Sequence, residues 1–162
     1  MTFTEEDIYR VYKYCYQTST SKGKIKQHML NEIVVESIMK ENEDNITFDK
    51  EIKVECNWGE RFNVDVIKYK NNLLEEIILI KAPASNIAQN LVNSLNNQAG
   101  EFQRINGDVY KGSKIRQITF IPNVSPFFSK NEEIKSFEKN KSIFITKRNI
   151  RCYNYQKKLI KY

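Results

Sequence analysis

Two side chains in this sequence, Asp65 and Lys81, have the types and the placement that metal-assisted chemistry needs. Asp65 falls in an alternating segment, and Lys81 ends a strongly apolar segment that follows a short Asn-Asn turn. A carboxylate is a ligand for hard divalent cations, and a lysine can help to orient or activate a water molecule. Side chains of these two types, when they lie close together, can bind a divalent ion and orient a water molecule.

Three predicted strands determine where Asp65 and Lys81 lie in the fold. Residues 52–56 alternate between apolar and polar side chains, the NWGE sequence with Gly59 favours a hairpin turn, and residues 62–69 predict a second strand that carries the aspartate. After the Asn-Asn turn, residues 74–81 predict a third strand that ends at the lysine. Because residues 77–80 are continuously apolar, we expect this third strand to be central and buried on both faces.

Helices are predicted before and after these three strands. Thr4 and Asp7 have capping-box spacing at the start of a first helix, and a second helix is expected over residues 25–40. Ser85 is expected to cap a third helix that continues to about Ile105. Apolar residues recur at helical spacing in each segment, which indicates that each helix packs through one face.

The C-terminal third is predicted to be mainly β structure. Residues 114–121 alternate as a fourth strand, residues 123–128 indicate a proline-containing loop, and residues 131–140 indicate a short helix or turn. Two further strands are expected over residues 142–146 and 150–155, with a basic turn between them. The sequence contains no internal repeat and no long linker, so a single domain is predicted.

This order of elements resembles the PD-(D/E)XK nuclease superfamily, which includes many type II restriction enzymes and DNA repair nucleases. The resemblance covers residues 25–121 and rests on the αβββαβ order, on Asp65 in the second strand and on Lys81 at the end of the third. It implies an α/β (α+β) fold with a restriction-endonuclease-like core, in which helices flank a central mixed sheet. Residues 122–162 would then form a basic C-terminal β extension of one domain that spans residues 1–162.

The resemblance also implies a Mg²⁺-dependent site. In the superfamily, the aspartate and a second acid two residues before the lysine bind the ion, but Leu79 occupies that second position here. Some members carry the second acid on the following helix, where Glu101 is available, and some add an acid from the preceding helix, where Glu36 or Glu32 would serve. The implied catalytic residues are Asp65, Lys81, Glu101 and Glu36, with Asp65 and Glu101 as the metal ligands.

Charge is distributed unevenly along the chain. Up to Asp108 there are 13 Lys and Arg against 17 Asp and Glu, whereas from Val109 onward there are 13 against 3. A basic surface attracts polyanions, because each Lys or Arg near a phosphate releases condensed counterions. The alternative interpretation is a solvated basic tail that aids solubility.

A polar stripe on the third helix is a second indication of nucleic-acid binding. Asparagine recurs there at helical steps, and its side chain both donates and accepts hydrogen bonds, so it can contact base edges or phosphates. The alternative is compositional, because the chain is rich in Asn, Lys and Ile throughout. The predicted nucleic-acid-binding residues are Asn86, Asn90, Asn93, Asn97, Arg104, Lys114, Arg116, Lys147, Arg148 and Arg151.

Composition argues against several other classes. His28 is the only histidine, so a zinc cluster or a Ser/His/Asp triad is not expected. Cys15, Cys56 and Cys152 are odd in number and widely spaced, which fits reduced thiols in a cytoplasmic protein. The sequence shows neither a secretory signal nor a membrane-spanning segment.

Three functions remain open from the sequence. The first is a nucleic-acid-binding protein of the nuclease fold, either an atypical Mg²⁺-dependent DNA endonuclease or a catalytically degenerate descendant. Cleavage of both strands of a duplex would favour a homodimer. The second is an immunity-like or inhibitor-like interaction subunit without enzymatic activity. The third is an RNA-binding module that uses tyrosines and basic strands as a stacking platform.

Overall fold

The structure is a computed structural model that describes residues 3–17, 23–41, 43–56, 59–83, 85–105, 110, 112–122, 124–128, 134–139 and 150–155. The helices in these residues are α1 (Glu5–Gln17), α2 (Lys24–Met39) and α3 (Ile87–Ile105). The strands are β1 (Ile46–Glu55), β2 (Arg61–Lys70), β3 (Leu73–Lys81), β4 (Lys114–Pro122), β5 (Val124–Phe128), β6 (Ile134–Lys139) and β7 (Ile150–Tyr155). None of the helices in this described part of the chain is long and apolar enough to cross a membrane.

A central mixed sheet organises the fold. Its strand order is β1-β2-β3-β4-β7, in which β2 runs antiparallel to β1 and β3, whereas β3, β4 and β7 are parallel. The predicted mixed α/β class with helices flanking a central sheet is confirmed. The prediction for the third strand is also confirmed, because β3 lies in the middle and residues 77–80 are buried.

The turns that join the first three strands follow from local sequence. Gly59 has a φ of 77°, and its amide donates to the carbonyl of Cys56 at 3.0 Å between β1 and β2. Asn71 and Asn72 have φ angles of 51° and 63° between β2 and β3. A two-residue hairpin turn with both φ angles positive matches the right-handed strand twist, and Asn tolerates this conformation better than most residues.

The two faces of the sheet carry separate hydrophobic clusters. On one face, which we call the α1–α2 face, residues such as Val11 and Leu30 pack with Ile78 of β3. On the opposite face, the α3 face, Ile105 of α3 packs with Ile77 and Leu79 of β3, among others. Successive residues of β3 therefore point to opposite cores, as strand geometry requires.

The first helix, α1, is stabilised by a capping hydrogen bond at its start and by a buried hydrogen bond to the sheet. The amide of Asp7 donates to Oγ1 of Thr4 at 3.2 Å, which confirms the predicted capping interaction. The hydroxyl of Tyr12 donates to the carbonyl of Phe120 at 2.7 Å and lies 3.2 Å from the carbonyl oxygen of Pro83. Tyr12 thus connects α1 to the carboxyl ends of β3 and β4.

Two predictions for the C-terminal third are wrong. Residues 123–128 were expected to form a loop and residues 131–140 a helix or turn, but β5 and β6 pair there as an antiparallel two-stranded sheet. Both are edge strands, where Pro126 is tolerated although it cannot donate a ladder hydrogen bond. In β6, pairing with β5 prevails over the helical preference of its charged residues.

The last predicted strand, over residues 150–155, is confirmed as β7, which joins the central sheet beside β4. The strand expected over residues 142–146 and the basic turn after it lie outside the described residues.

Candidate functional site

The aspartate of the predicted pair lies where β2 and β3 separate. Backbone pairing between these strands extends from their turn to Val66 and Ile78, and Asp65 is the next residue of β2. Oδ2 of Asp65 accepts a hydrogen bond from the main-chain amide of Ile80 at 2.5 Å. A carboxylate thus continues the contact between the two strands beyond the end of the backbone ladder.

An irregularity in the sheet accompanies this separation. Val64 packs in the α3 face core and Val66 in the α1–α2 face core, so the side-chain alternation of β2 reverses at Asp65. On β1, Glu51 has a φ of 54° and lies between the residues paired with Val66 and Val64. Glu51 and Asp65 are thus opposite each other at an irregular point of the β1–β2 pairing, which keeps its register on both sides.

The environment of Asp65 favours the neutral acid. Burial raises the pKa of this carboxyl from 3.8 to about 6, against the lowering effects of the Ile80 amide and of the Lys81 charge. The negative charges of Glu101 and Glu51 also raise the pKa of Asp65. Asp65 therefore interacts electrostatically with one lysine and two other carboxylates.

The lysine of the pair is held by an acid from α3. Nζ of Lys81 lies 2.7 Å from Oε1 of Glu101. The Glu101 side chain is 16% exposed, and its second oxygen, Oε2, is buried without a hydrogen-bond partner. A buried acceptor left unpaired costs about 1–3 kcal/mol, so this oxygen is available to a ligand that supplies a positive charge or a donor.

The structure brings together three of the four predicted catalytic residues. Asp65, Lys81 and Glu101 come from β2, β3 and α3, and we call them the carboxylate–lysine site. Glu36 does not join them: it is exposed on α2, which packs on the α1–α2 face of the sheet. Leu79, at the position where the sequence resemblance would expect a second acid, is fully buried in the α3 face core.

The carboxylate–lysine site offers few oxygen ligands for Mg²⁺. Among the described residues, no group of three or more Asp, Glu, His or Cys side chains is arranged to hold a metal ion. Mg²⁺ keeps several waters and is often bound by one or two carboxylates together with substrate phosphate. Asp65 and Glu101 supply two carboxylates, which are ligands of the kind that this mode of binding uses, and Oε2 of Glu101 has no hydrogen-bond partner.

A polar cluster beside the site was not predicted from the sequence. Nε2 of Gln117 donates to the main-chain oxygen of Gln98 at 2.6 Å, and Oγ1 of Thr119 donates to Oε1 of Gln98 at 3.3 Å. All three residues are buried. Sequence alternation places Gln117 and Thr119 on one face of β4, but only the β3–β4 register shows that this face adjoins the carboxylate–lysine site.

The predicted asparagine stripe is largely exposed. Asn90, Asn93, Asn97 and Arg104 are exposed on α3. Asn86, with a φ of 49°, precedes the helix, and its carbonyl accepts both the amide of Asn90 at 3.2 Å and the side chain of Asn90 at 3.0 Å. The helix therefore begins after Asn86, one residue later than the predicted cap at Ser85 implies.

The two predicted basic residues of β4 have a different environment. Nε of Arg116 lies 2.6 Å from Oε1 of the buried Glu76, and Nζ of Lys114 lies 3.7 Å from the same oxygen. The Arg116 side chain is only 12% exposed, whereas that of Lys114 is 50% exposed. Arg116 is thus committed to an internal ion pair. Arg151 lies in β7, and Lys147 and Arg148 lie outside the described residues.

No protein-family model matches this chain, and no curated protein sequence matches it.

Proposed function

We propose that this chain acts on nucleic acid, with DNA as the preferred substrate, and that the carboxylate–lysine site hydrolyses phosphodiester bonds with Mg²⁺. The observation that carries the proposal is the meeting of Asp65, Lys81 and Glu101 from three separate elements. These residues meet where β2 and β3 diverge. The element order α2, β1, β2, β3, α3, β4 supports a nuclease-like core.

Each residue has a distinct role in this proposal. Asp65 and Glu101 would hold Mg²⁺, which when bound polarises a phosphate and lowers the pKa of a water ligand. Glu101 can contact the ion through Oε2 while Oε1 keeps its 2.7 Å contact with Lys81. The ammonium group of Lys81 is then fixed beside the metal ligands, where it orients the attacking water and balances negative charge.

The identity of residue 79 favours a second candidate function, which is nucleic-acid binding without cleavage. Leu79 is buried among apolar side chains and offers no oxygen to a cation. A site with one fewer carboxylate binds Mg²⁺ less tightly, because affinity depends on the number and charge of the oxygen ligands. The exposed stripe on α3 would remain available for nucleic acid.

A cleavage assay tests the first function. Wild type, Asp65→Asn, Lys81→Met and Glu101→Gln would be incubated with single- and double-stranded DNA and RNA in Mg²⁺ or Mn²⁺. Glu36→Gln is the matched control, since it neutralises an exposed glutamate on the opposite face of the sheet. We expect wild type and Glu36→Gln to cleave, and the three site variants to lose cleavage.

Two outcomes would contradict this expectation in different ways. Cleavage that survives in Asp65→Asn would remove the carboxylate–lysine site from the reaction. If folded wild type cleaves no substrate but binds DNA, the binding function replaces hydrolysis. Cleavage gained only in Leu79→Glu would then identify the missing carboxylate as the reason, provided that circular dichroism shows the variant to be folded.

A further inference from the structure

The polar cluster on the α3 face joins the sheet to one turn of α3. Gln117 bonds to the main chain of Gln98, and Thr119 bonds to the side chain of the same residue. We call these three residues the glutamine clamp. The orientation of the Gln117 amide follows from chemistry, because the atom 2.6 Å from a carbonyl oxygen must be the donor nitrogen.

The clamp is adjacent to the carboxylate–lysine site on both elements. In the parallel pairing of β3 with β4, Gln117 lies opposite Leu79 and Thr119 lies opposite Lys81. On α3, Gln98 precedes Glu101 by three residues, so the two side chains lie on neighbouring turns of one helix surface. The clamp therefore fixes the part of α3 that presents Glu101 to Lys81.

Apolar packing alone would define the position of α3 over the sheet less precisely than these hydrogen bonds do. Hydrophobic contacts are non-directional, whereas two hydrogen bonds to Gln98 specify both the height and the rotation of the helix over the sheet. The arrangement also leaves Oε1 of Gln117 buried without a hydrogen-bond partner. Leucine or methionine at this position would avoid that unpaired oxygen, but would also lose the hydrogen bond to the main chain of Gln98.

We propose that Gln117 and Thr119 are positioning residues, which act through Gln98 to hold Glu101 beside Lys81. This inference rests on the proposed function, in which Glu101 contacts the metal ion and Lys81 orients the water. Neither clamp residue touches the substrate in this scheme. Loss of the clamp lets α3 shift or rotate, so the carboxylates of Asp65 and Glu101 no longer converge and the chemical step slows.

The test compares a double variant, Gln117→Met with Thr119→Val, with two controls. Thr119→Ser keeps the hydroxyl donor. Ile118→Val is a mild core substitution on the same strand, but on the α1–α2 face, so it changes stability without touching the clamp. In each background, urea unfolding of Lys81→Met, Glu101→Gln and their combination gives the thermodynamic coupling between the two site residues.

We expect the coupling between Lys81 and Glu101 to disappear in the double clamp variant and to persist in Thr119→Ser and Ile118→Val. Cleavage assays on the same proteins should show at least a tenfold fall in kcat with little change in KM for the double clamp variant only. Coupling that persists in that variant would overturn the inference, whatever the activity.

The clamp and the proposed function can fail separately. Loss of coupling in a protein that never cleaves would leave the clamp standing as a device that positions Glu101, and would reject hydrolysis. Cleavage by wild type, with unchanged coupling and unchanged kcat in the clamp variant, would reject the clamp and leave hydrolysis standing.

Discussion

Nζ of Lys81 lies 2.7 Å from Oε1 of Glu101, although the two residues are 20 positions apart in the chain. The contact joins the end of β3 to the second half of α3. Strand alternation would place an acid at position 79 on the same face as the lysine, but Leu79 belongs to the core there. Lys81 therefore has a leucine, not an acid, two residues before it on β3, and its acidic partner is Glu101 of the following helix.

Metal affinity should depend on the ionisation of Asp65. Because burial raises the pKa of this carboxyl to about 6, the neutral acid predominates at pH 5 and the carboxylate at pH 7.5. Only the carboxylate is a good ligand, so we expect Mn²⁺ to bind at least about tenfold more weakly at pH 5. Electron paramagnetic resonance titration of Mn²⁺ would measure this change. In Asp65→Asn the affinity should be low at both pH values, and an equally steep pH dependence in that variant would assign the titration to another group.

The same carboxyl should make folding stability depend on pH. Its pKa in the folded protein lies above the ordinary value of 3.8, so its stabilising contribution is complete below about pH 4 and is lost as pH rises through about 6. A rise from 3.8 to about 6 corresponds to roughly 3 kcal/mol. We expect wild type to lose stability relative to Asp65→Asn between these pH values. Urea unfolding of both proteins from pH 4 to 7 would measure the difference, and parallel curves would contradict it.

The buried pair of Arg116 and Glu76 should matter for folding more than for binding. Arg116→Met would leave a buried carboxylate without its closest partner, which costs about 3–5 kcal/mol. Arg116→Met combined with Glu76→Leu should recover most of that loss, because it removes both charges. Lys114→Met, at a half-exposed side chain, should cost no more than about 1 kcal/mol. Urea unfolding midpoints at constant m-value would rank the three proteins, and a stable Arg116→Met protein would show that Glu76 has sufficient other partners.

Much of the fold can be predicted from local sequence. The N-cap at Thr4, the Asn71–Asn72 turn and the apolar run of β3 each determine a local conformation, and the structure contains all three. Pairing between distant strands is harder to predict, because it depends on tertiary context more than on propensity. β5 and β6 were missed for that reason, since the charged residues of β6 favour a helix when they are considered alone.

Some residues of the candidate site could likewise be predicted from the sequence, and others could not. Asp65 and Lys81 could be identified from their positions on two predicted strands. Glu101 could be identified only as one of several acids able to take the role of an acid at position 79. The partnership of Gln117 with Gln98 requires the placement of α3 over the sheet, which no local pattern specifies. The pairing of Arg116 with Glu76 requires the β3–β4 register, so the sequence alone did not indicate this internal ion pair.

Nucleic-acid binding, if it uses the exposed stripe of α3, should depend on Arg104 in a salt-dependent way. Arg104 is exposed near the end of α3, where its charge can approach a phosphate. Each phosphate contact on duplex DNA contributes a slope of about −0.9 to the dependence of log affinity on log salt concentration. Arg104→Gln should therefore make the observed slope shallower by about 0.9. Fluorescence anisotropy with a labelled duplex across a range of salt concentrations would measure both slopes.

A charge-matched control separates a contact from an effect of net charge. Lys13 is exposed on α1, on the opposite face of the sheet, so Lys13→Gln removes one positive charge at a distance from the stripe. We expect its salt slope to equal that of wild type, because its ammonium group displaces no counterion from the bound duplex. Equal reductions in Arg104→Gln and Lys13→Gln would mean that DNA is attracted by overall charge alone, and the asparagine stripe would lose its role as the binding surface.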